Sequence, residues 1–140
     1  MSQPIPYLAF DGNCAEAMRF YAKVLNGTLG IMTNRQSPFA DRCPPEHLDR
    51  VLHARLEFNG GTWLYAGDCP PGMPYQGIHG VSIALNYDTV EQARQVFDAL
   101  ADGGTVTMAD VDRPSNAPEH CPVRPRPALA LCGPTCVACG

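Results

Sequence analysis

The chain has 140 residues and a formal net charge of −4 at neutral pH, with 45% apolar and 17% charged residues. This length and composition are typical of one soluble globular domain, spanning residues 1–140, that is large enough to bury a core. The acidic balance offers no basic surface to a phosphate backbone, so the sequence argues against nucleic acid as a partner. No apolar run approaches the roughly 20 residues of a membrane span, and the N-terminus has no secretory signal pattern. We therefore expect a cytoplasmic protein without a membrane partner.

The first predicted elements are a strand, a helix and a second strand. The segment "IPYLAF" (5–10) predicts a strand, and Asn13 stands where a helix N-cap belongs. The helix that follows has apolar residues at helical spacing: Ala17, Phe20, Tyr21, Val24 and Leu25. A second strand is predicted over 28–35, and a loop with prolines and charges over 36–50.

The segment "VLHARLEF" (51–58) alternates strictly and predicts a strand with two different faces. One predicted face is apolar and consists of Leu52, Ala54, Leu56 and Phe58. The other predicted face is polar and consists of His53, Arg55 and Glu57. The turn signal "NGG" then leads into a strand over 62–67, where Trp63 and Tyr65 share one face.

The strand–helix–strand pattern then recurs after a loop rich in glycine and proline. We predict a strand over 81–87, a helix over 88–104 with Thr89 as its N-cap, and a further strand beginning at 105. Matching positions of the two helices lie 76 residues apart: Ala17 with Ala93, Tyr21 with Phe97, and Gly27 with Gly103. This internal repeat indicates two related modules.

The chain resembles the PhnB-like branch of the vicinal oxygen chelate superfamily in three segments: "PYLAFDGNCAEAMRFYAKVLNGTL", "HARLEFNGGTWLYAGD" and "GVSIALNYDTVEQARQVFDALADGGTVTM". Glyoxalase I, extradiol dioxygenases and bleomycin-sequestering proteins belong to that superfamily. The resemblance implies an α+β fold of two βαβββ modules, whose sheets curl around a shared cavity, and a homodimer. It divides the chain into module one (1–67), a linker loop (68–79), module two (80–108) and a tail (109–140).

The tail departs from the family pattern. Residues 109–140 contain no Phe, Tyr or Trp, and their prolines would interrupt a central strand, so we expect module two to be atypical or truncated. An irregular tail is the favoured interpretation, and a sharper hypothesis is a tail read out of frame. The alternative is a structural zinc held by four tail thiolates, although their spacing lacks the paired Cys-x2-Cys of common zinc folds. Those thiolates belong to Cys121, Cys132, Cys136 and Cys139.

The resemblance also implies where metal-dependent relatives hold a divalent ion, namely on the first and the last strand of each module. The matching positions here are Pro6, Tyr65 and Ser82, and none of these residue types is a good ligand. We therefore expect no metal site of the usual kind and no cofactor. Ser82 is kept as a candidate ligand-binding residue.

His53 is the candidate catalytic residue, as a general base or a metal ligand, with Arg55 beside it to receive an anionic group. The favoured alternative is a structural histidine, with Arg55 and Glu57 forming a solvated ion pair. Trp63 and Tyr65 either line an apolar pocket or belong to the core, and both readings stay open. Together with Ser82, the candidate ligand-binding residues are Arg55, Glu57, Trp63 and Tyr65.

Small-molecule binding without the usual metal is the function that these patterns favour. One alternative is a metal-dependent enzyme of the glyoxalase or dioxygenase kind that uses His53. Another is a structural or interaction protein with a zinc-bound tail. Similar proteins sometimes carry a ubiquinone-methyltransferase label, but no glycine-rich loop follows a strand here to hold S-adenosylmethionine.

Overall fold

A computed structural model of the chain describes residues 2–78, 83, 85, 87–102, 105–106 and 123–124. The chain divides into two compact units, an N-terminal unit (Met1–Gly77) and a C-terminal unit (Ile78–Gly140). In the described ranges, no helix is both long enough and apolar enough to cross a bilayer.

The N-terminal unit is a four-stranded sheet with one helix packed on one face. In chain order its elements are strand β1 (Tyr7–Phe10), helix α1 (Cys14–Val24), and strands β2 (Thr28–Thr33), β3 (Val51–Phe58) and β4 (Thr62–Asp68). The strand order is β1-β4-β3-β2, with β1 parallel to β4 and the other two pairs antiparallel. The unit is therefore a βαβββ module, and the predicted α+β class is confirmed.

The core of this unit lies between α1 and one face of the sheet. The strands contribute eight buried apolar residues: Leu8, Phe10, Val51, Ala54, Leu56, Phe58, Leu64 and Ala66. The helix and its C-terminal turn contribute Cys14, Ala17, Met18, Tyr21 and Leu25. Each large apolar side chain buried in this way stabilises the fold by about 1.5–3 kcal/mol. The predicted stripe of α1 is confirmed at Ala17, Tyr21 and Leu25, whereas Phe20 and Val24 are only partly buried.

The predicted alternation of β3 is wrong at one position. Leu52 is 40% exposed, and Val51 is buried in its place. The cause is an irregularity in strand pairing, because Met32 lies opposite His53 whereas Thr33, the next residue, lies opposite Val51. Leu52 is the extra residue of this bulge, and one extra residue moves the alternation onto the other face.

Two connections of the N-terminal unit, between β2 and β3 and between β3 and β4, form turns, as their prolines and glycines indicate. The chain between β2 and β3 contains three short 3-10 turns, at Asn34–Gln36, Ala40–Arg42 and Pro45–His47, and the first of them begins within the segment predicted as strand (28–35). The predicted hairpin turn joins β3 to β4, and Asn59 has a positive φ of 49° there. Asparagine and glycine tolerate that left-handed conformation better than other residues do.

The C-terminal unit contains helix α2 (Val90–Ala101) and two short antiparallel strands, β5 (Thr105–Val106) and β6 (Val123–Arg124). The hydroxyl of Thr89 accepts a hydrogen bond from the Gln92 backbone N–H at 3.2 Å, which confirms the predicted cap. The predicted strand over 81–87 falls mostly outside the described residues.

One part of the tail differs from the irregular segment that we expected, because the strand β6 lies within residues 109–140. Thr105 lies opposite Arg124 in this pairing, and Val106 lies opposite Val123. Backbone groups pair whatever the side chains are, but proline has no N–H to donate. The positions on either side of β6 in the sequence, 122 and 125, are prolines.

Candidate functional site

The face of the sheet opposite α1, here called the open face, carries a continuous row of rings. Tyr7 on β1 lies opposite Tyr65 on β4, and the Tyr7 ring centroid lies 5.8 Å from that of His53 on β3. His53 meets Tyr65 edge to face at 5.0 Å, and Tyr65 meets Trp63 edge to face at 6.3 Å. We call these four residues the aromatic row. Pairs with this geometry are mutually stabilising and present flat apolar surface with polar edges.

Strand alternation explains why these rings share a face. Leu8 and Phe10 of β1, and Leu64 and Ala66 of β4, are buried beneath α1. Their sequence neighbours therefore point to the open face. Tyr7 is 55% exposed, whereas the other three rings of the row are partly buried.

Arg55 lies on the same face, beside the aromatic row. It is exposed, and in the sheet it lies between Tyr65 of β4 and Gly30 of β2. A Cβ placed on Gly30 would lie 3.3 Å from Arg55 Nε and 3.5 Å from its Cγ. The Arg55 side chain therefore leans over Gly30, toward β2 and away from Tyr65.

Glu57 is the acidic group of the open face. It lies opposite Trp63 on one side and Thr28 on the other, and it is partly buried. Among the residues placed by the structure, the ion pairs are Arg35–Asp49 at 3.0 Å and Arg50–Asp11 at 2.7 Å. Arg55 and Glu57 are not paired with each other there, so neither neutralises the charge of the other beside the row.

Tyr7 is held at its place in the row by contacts near the end of β4. Its hydroxyl donates a long hydrogen bond of 3.4 Å to the Leu52 carbonyl. A Cβ on Gly67 would lie 2.7 Å from the Tyr7 hydroxyl oxygen, so the ring occupies the space that a side chain at Gly67 would need. Burial first, and then the charge of Cys14, raise the pKa of the Tyr7 phenol.

The structure brings together five of the side chains selected from the sequence: His53, Arg55, Glu57, Trp63 and Tyr65. Sequence reasoning missed Tyr7, which completes the aromatic row. Strand alternation was the available signal, because Tyr7 lies at an odd spacing from the apolar residues Leu8 and Phe10 and so faces the opposite side of the sheet. Ser82 lies outside the described residues, as do the four tail cysteines, Cys121, Cys132, Cys136 and Cys139.

The surroundings of His53 do not provide a set of metal ligands. Its ring neighbours are Tyr7 and Tyr65. In the part of the chain that the structure describes, no three His, Cys, Asp or Glu side chains come close enough together to hold an ion. The described donor set therefore does not match the imidazole and carboxylate sites that divalent transition metals prefer.

Asp68 organises the backbone at one edge of the unit. Its Oδ1 accepts hydrogen bonds from the backbone N–H groups of Gly12 (2.8 Å) and Cys14 (3.1 Å). Its Oδ2 accepts from the N–H of Val51 at 2.8 Å. Asn13 is the N-cap residue of α1, as predicted, but its side chain makes no capping bond to the helix. A carboxylate from β4 therefore satisfies the start of α1.

Cys14 is not a reactive thiol. Its side chain is fully buried, and burial, followed by the nearby charge of Asp68, raises its pKa to about 12. The thiolate is the nucleophilic form of cysteine, and at neutral pH this thiol stays protonated. Cys14 therefore serves as a small buried apolar residue of the core.

Comparison with known proteins relates the chain to a family model and to a protein of Escherichia coli. Residues 2–121 match the family model described as 3-demethylubiquinone-9 3-methyltransferase. Protein YjdN of Escherichia coli K12 is 29% identical over 115 residues, which cover 74% of this chain and 76% of YjdN.

Two solved structures resemble the chain. Protein PA1353 from Pseudomonas aeruginosa is 37% identical, with a TM-score of 0.80 over 95% of this chain and 98% of that one. A PhnB protein from Bacillus cereus, described as a 3-demethylubiquinone-9 3-methyltransferase, is 22% identical, with a TM-score of 0.60 over 77% of this chain and 80% of that one. At that identity the second structure supports the fold alone.

Proposed function

Because the chain belongs to the 3-demethylubiquinone-9 3-methyltransferase family, in which PhnB-like proteins are found, we propose that it binds a small molecule on the open face of its N-terminal sheet. The observation that carries this proposal is the aromatic row beside the outward-facing Arg55. Small-molecule sites combine aromatic surface with a few polar groups that fix the orientation of the ligand. The open face has both components within one rigid sheet.

The proposal stops at binding and does not extend to methyl transfer. A cofactor held by a strand–loop–helix turn uses the free N–H groups at the helix start. Here the turn between β1 and α1 contains one glycine, Gly12, and its N–H is bonded to Asp68. The N–H of Cys14 is bonded to the same carboxylate. The N–H group of that glycine and the first N–H group of α1 are therefore taken by the protein's own carboxylate.

The alternative functions gain no support from the described residues. A metal-dependent enzyme built on His53 would need further ligands near it, and its neighbours there are tyrosine rings. The zinc-bound tail depends on cysteines outside the described ranges. A homodimer and a cytoplasmic location stay predictions from the sequence. Native mass spectrometry of the full chain tests the first of these.

Trp63 provides a direct measurement of binding because it is the one tryptophan in the sequence. A ring that stacks on the row should change Trp63 emission in a saturable way. The experiment titrates the full chain with 3-phenylpropionate, 3-phenylpropanol and 3-phenylpropylamine, which share a ring and differ in charge. We expect at least one probe to bind, and Tyr65→Ala to weaken that binding about fivefold, since an aromatic contact is worth about 1 kcal/mol.

The matched control is Phe20→Ala on α1, because Phe20 contacts Tyr21 on the other side of the sheet. Both variants are first compared with wild type by thermal melting. Unchanged Trp63 emission with all three probes at millimolar concentration would contradict the proposal. So would an equal loss of affinity in the two variants.

A further inference from the structure

The position of Arg55 makes the open face asymmetric, with rings on one side and a positive charge on the other. The aromatic row occupies β1, β3 and β4, whereas the Arg55 side chain leans the other way, over Gly30 of β2. Because glycine has no side chain, nothing on β2 covers the guanidinium at that register position. The guanidinium is therefore presented beside the rings and not on top of them.

The distance between the aromatic row and the Arg55 guanidinium sets the length of a ligand that contacts both. Neighbouring strands lie about 4.8 Å apart, so β4 and β2 are about 10 Å apart across β3. A ring resting on Tyr65 or Trp63 can therefore reach the guanidinium above Gly30 through a short arm. A bare aromatic acid, with its acidic group directly on the ring, is too short to reach both.

The charges of the open face favour an anion at the end of that arm. Guanidinium binds carboxylate and phosphate through two parallel hydrogen bonds, and Arg55 is exposed and without an ion-pair partner among the described residues. Glu57 lies two positions along β3, about 7 Å away, opposite Trp63. Its carboxylate repels an anion from the Trp63 end and so reinforces the orientation that Arg55 sets.

We propose that the ligand of this site is an aromatic molecule that carries a carboxylate or phosphate on a short arm, with its ring on the aromatic row and its anionic group on Arg55 above Gly30. This inference rests on the proposed binding function and specifies the ligand class for the same face. Arg55 sets the preference for charge, and Gly30 leaves the guanidinium uncovered.

The test compares probe affinities by Trp63 emission, with calorimetry as a second readout. We expect 3-phenylpropionate to bind at least tenfold more tightly than 3-phenylpropanol or 3-phenylpropylamine, and more tightly than benzoate, which lacks the arm. Arg55→Gln should reduce the preference for 3-phenylpropionate over 3-phenylpropanol to about twofold. Glu57→Gln should tighten the binding of 3-phenylpropionate two- to fivefold. Opposite effects of the two variants distinguish a charge preference from a loss of folding.

Arg19→Gln is the matched control, because Arg19 is an exposed arginine on α1, on the covered side of the sheet. It should leave every affinity unchanged. Two outcomes would overturn this inference while leaving the binding function intact. One is equal affinity for 3-phenylpropionate and 3-phenylpropanol, and the other is a preference for 3-phenylpropionate that survives Arg55→Gln. Tightest binding of the amine would also overturn it and would assign the selectivity to Glu57. Absence of binding by every probe would overturn both proposals.

Discussion

The hydroxyl of Tyr7 lies over Gly67, at the position where a side chain on that residue would be. A Cβ built on Gly67 would lie 2.7 Å from the Tyr7 hydroxyl oxygen and 3.0 Å from the carbonyl oxygen of Leu52. Tyr7 and Gly67 lie on the neighbouring strands β1 and β4, which pair in parallel. One ring of the aromatic row is thus placed by the absence of a side chain on the strand beside it.

Replacement of Gly67 by alanine should destabilise the N-terminal unit. The Leu52 carbonyl belongs to the backbone of β3 and cannot rotate away, so the added methyl forces a shift of strand or ring. Overpacking of this kind costs about 1–3 kcal/mol. Urea denaturation of Gly67→Ala and wild type measures the loss in free energy of unfolding.

A double-mutant cycle tests whether the Tyr7 hydroxyl is the group that a methyl on residue 67 would clash with. Tyr7→Phe alone should cost less than about 1 kcal/mol, because its hydrogen bond to Leu52 is long and exposed. In the Tyr7→Phe background, Gly67→Ala should cost less than it does in wild type. A Gly67→Ala variant as stable as wild type would show that the contact carries no constraint.

Asp68→Asn should be one of the more damaging polar substitutions in the N-terminal unit. The carboxylate accepts from the N–H groups of Gly12, Cys14 and Val51, and an asparagine side chain has one acceptor oxygen in place of two. All three bonds then lose their charge assistance, and at least one of the N–H groups loses its acceptor. We expect a loss of about 2–4 kcal/mol in the free energy of unfolding, measured by urea denaturation.

Asp49→Asn is the control for this prediction. Asp49 also accepts a charged hydrogen bond, from Arg35, but its side chain is 82% exposed. Exposed ion pairs contribute about 1 kcal/mol or less. Similar losses for Asp49→Asn and Asp68→Asn would argue against a special role for the three backbone contacts.

Local patterns in the sequence predict most of the N-terminal unit. The alternation of β3 places His53, Arg55 and Glu57 on one face, and the helical spacing of α1 places Ala17 and Tyr21 in the core. These signals succeed because each element buries one face and the spacing of apolar residues records which face it is.

The features that sequence reasoning missed depend on contacts between distant residues. Asp68 bonds to the N–H of Cys14, 54 positions away, and no local pattern indicates that pairing. The bulge at Leu52 arises from the register of β2 against β3. Tyr7 lies in an almost wholly apolar segment, so its strand offers no polar residue to mark the open face. The five predicted site residues share one face, and their binding role stays a prediction.

Tyr75 tethers the loop that follows β4 to the edge of the sheet. Its hydroxyl donates to the carbonyl of Ala9 on β1 at 3.1 Å. Burial is the main cause that raises the pKa of this phenol, so it remains a neutral donor at physiological pH. Tyr75→Phe should leave global stability nearly unchanged and increase amide exchange of residues 70–77 severalfold, since one hydrogen bond is worth about 1 kcal/mol.

Hydrogen exchange followed by mass spectrometry measures this effect peptide by peptide. Tyr65→Phe is the control, because it removes a hydroxyl from the open face and leaves the Ala9 contact intact. The tether would be refuted if the peptide covering residues 70–77 exchanged equally fast in Tyr75→Phe and wild type.

The buried thiol of Cys14 should make the unit less stable as the pH rises above 9. The thiol pKa is raised from 9.0 to about 12 on folding. Between these values the unfolded chain loses the proton while the folded chain retains it, so the folded state binds more protons. Stability is fully present below pH 9 and falls as the pH rises, with a slope of at most about 1.4 kcal/mol per pH unit.

Urea denaturation at pH 8, 9.5 and 10.5 measures this slope in wild type and in Cys14→Ala. The phenols of Tyr7 and Tyr75 also have raised pKa values and contribute in the same direction, but they are present in both proteins. Burial is the main cause of both phenol shifts and is common to the two proteins, so the difference between the slopes reports chiefly the thiol, together with its smaller effect on Tyr7. Wild type should lose stability faster than Cys14→Ala above pH 9, and parallel slopes would show that Cys14 ionises as readily in the folded chain as in the unfolded one.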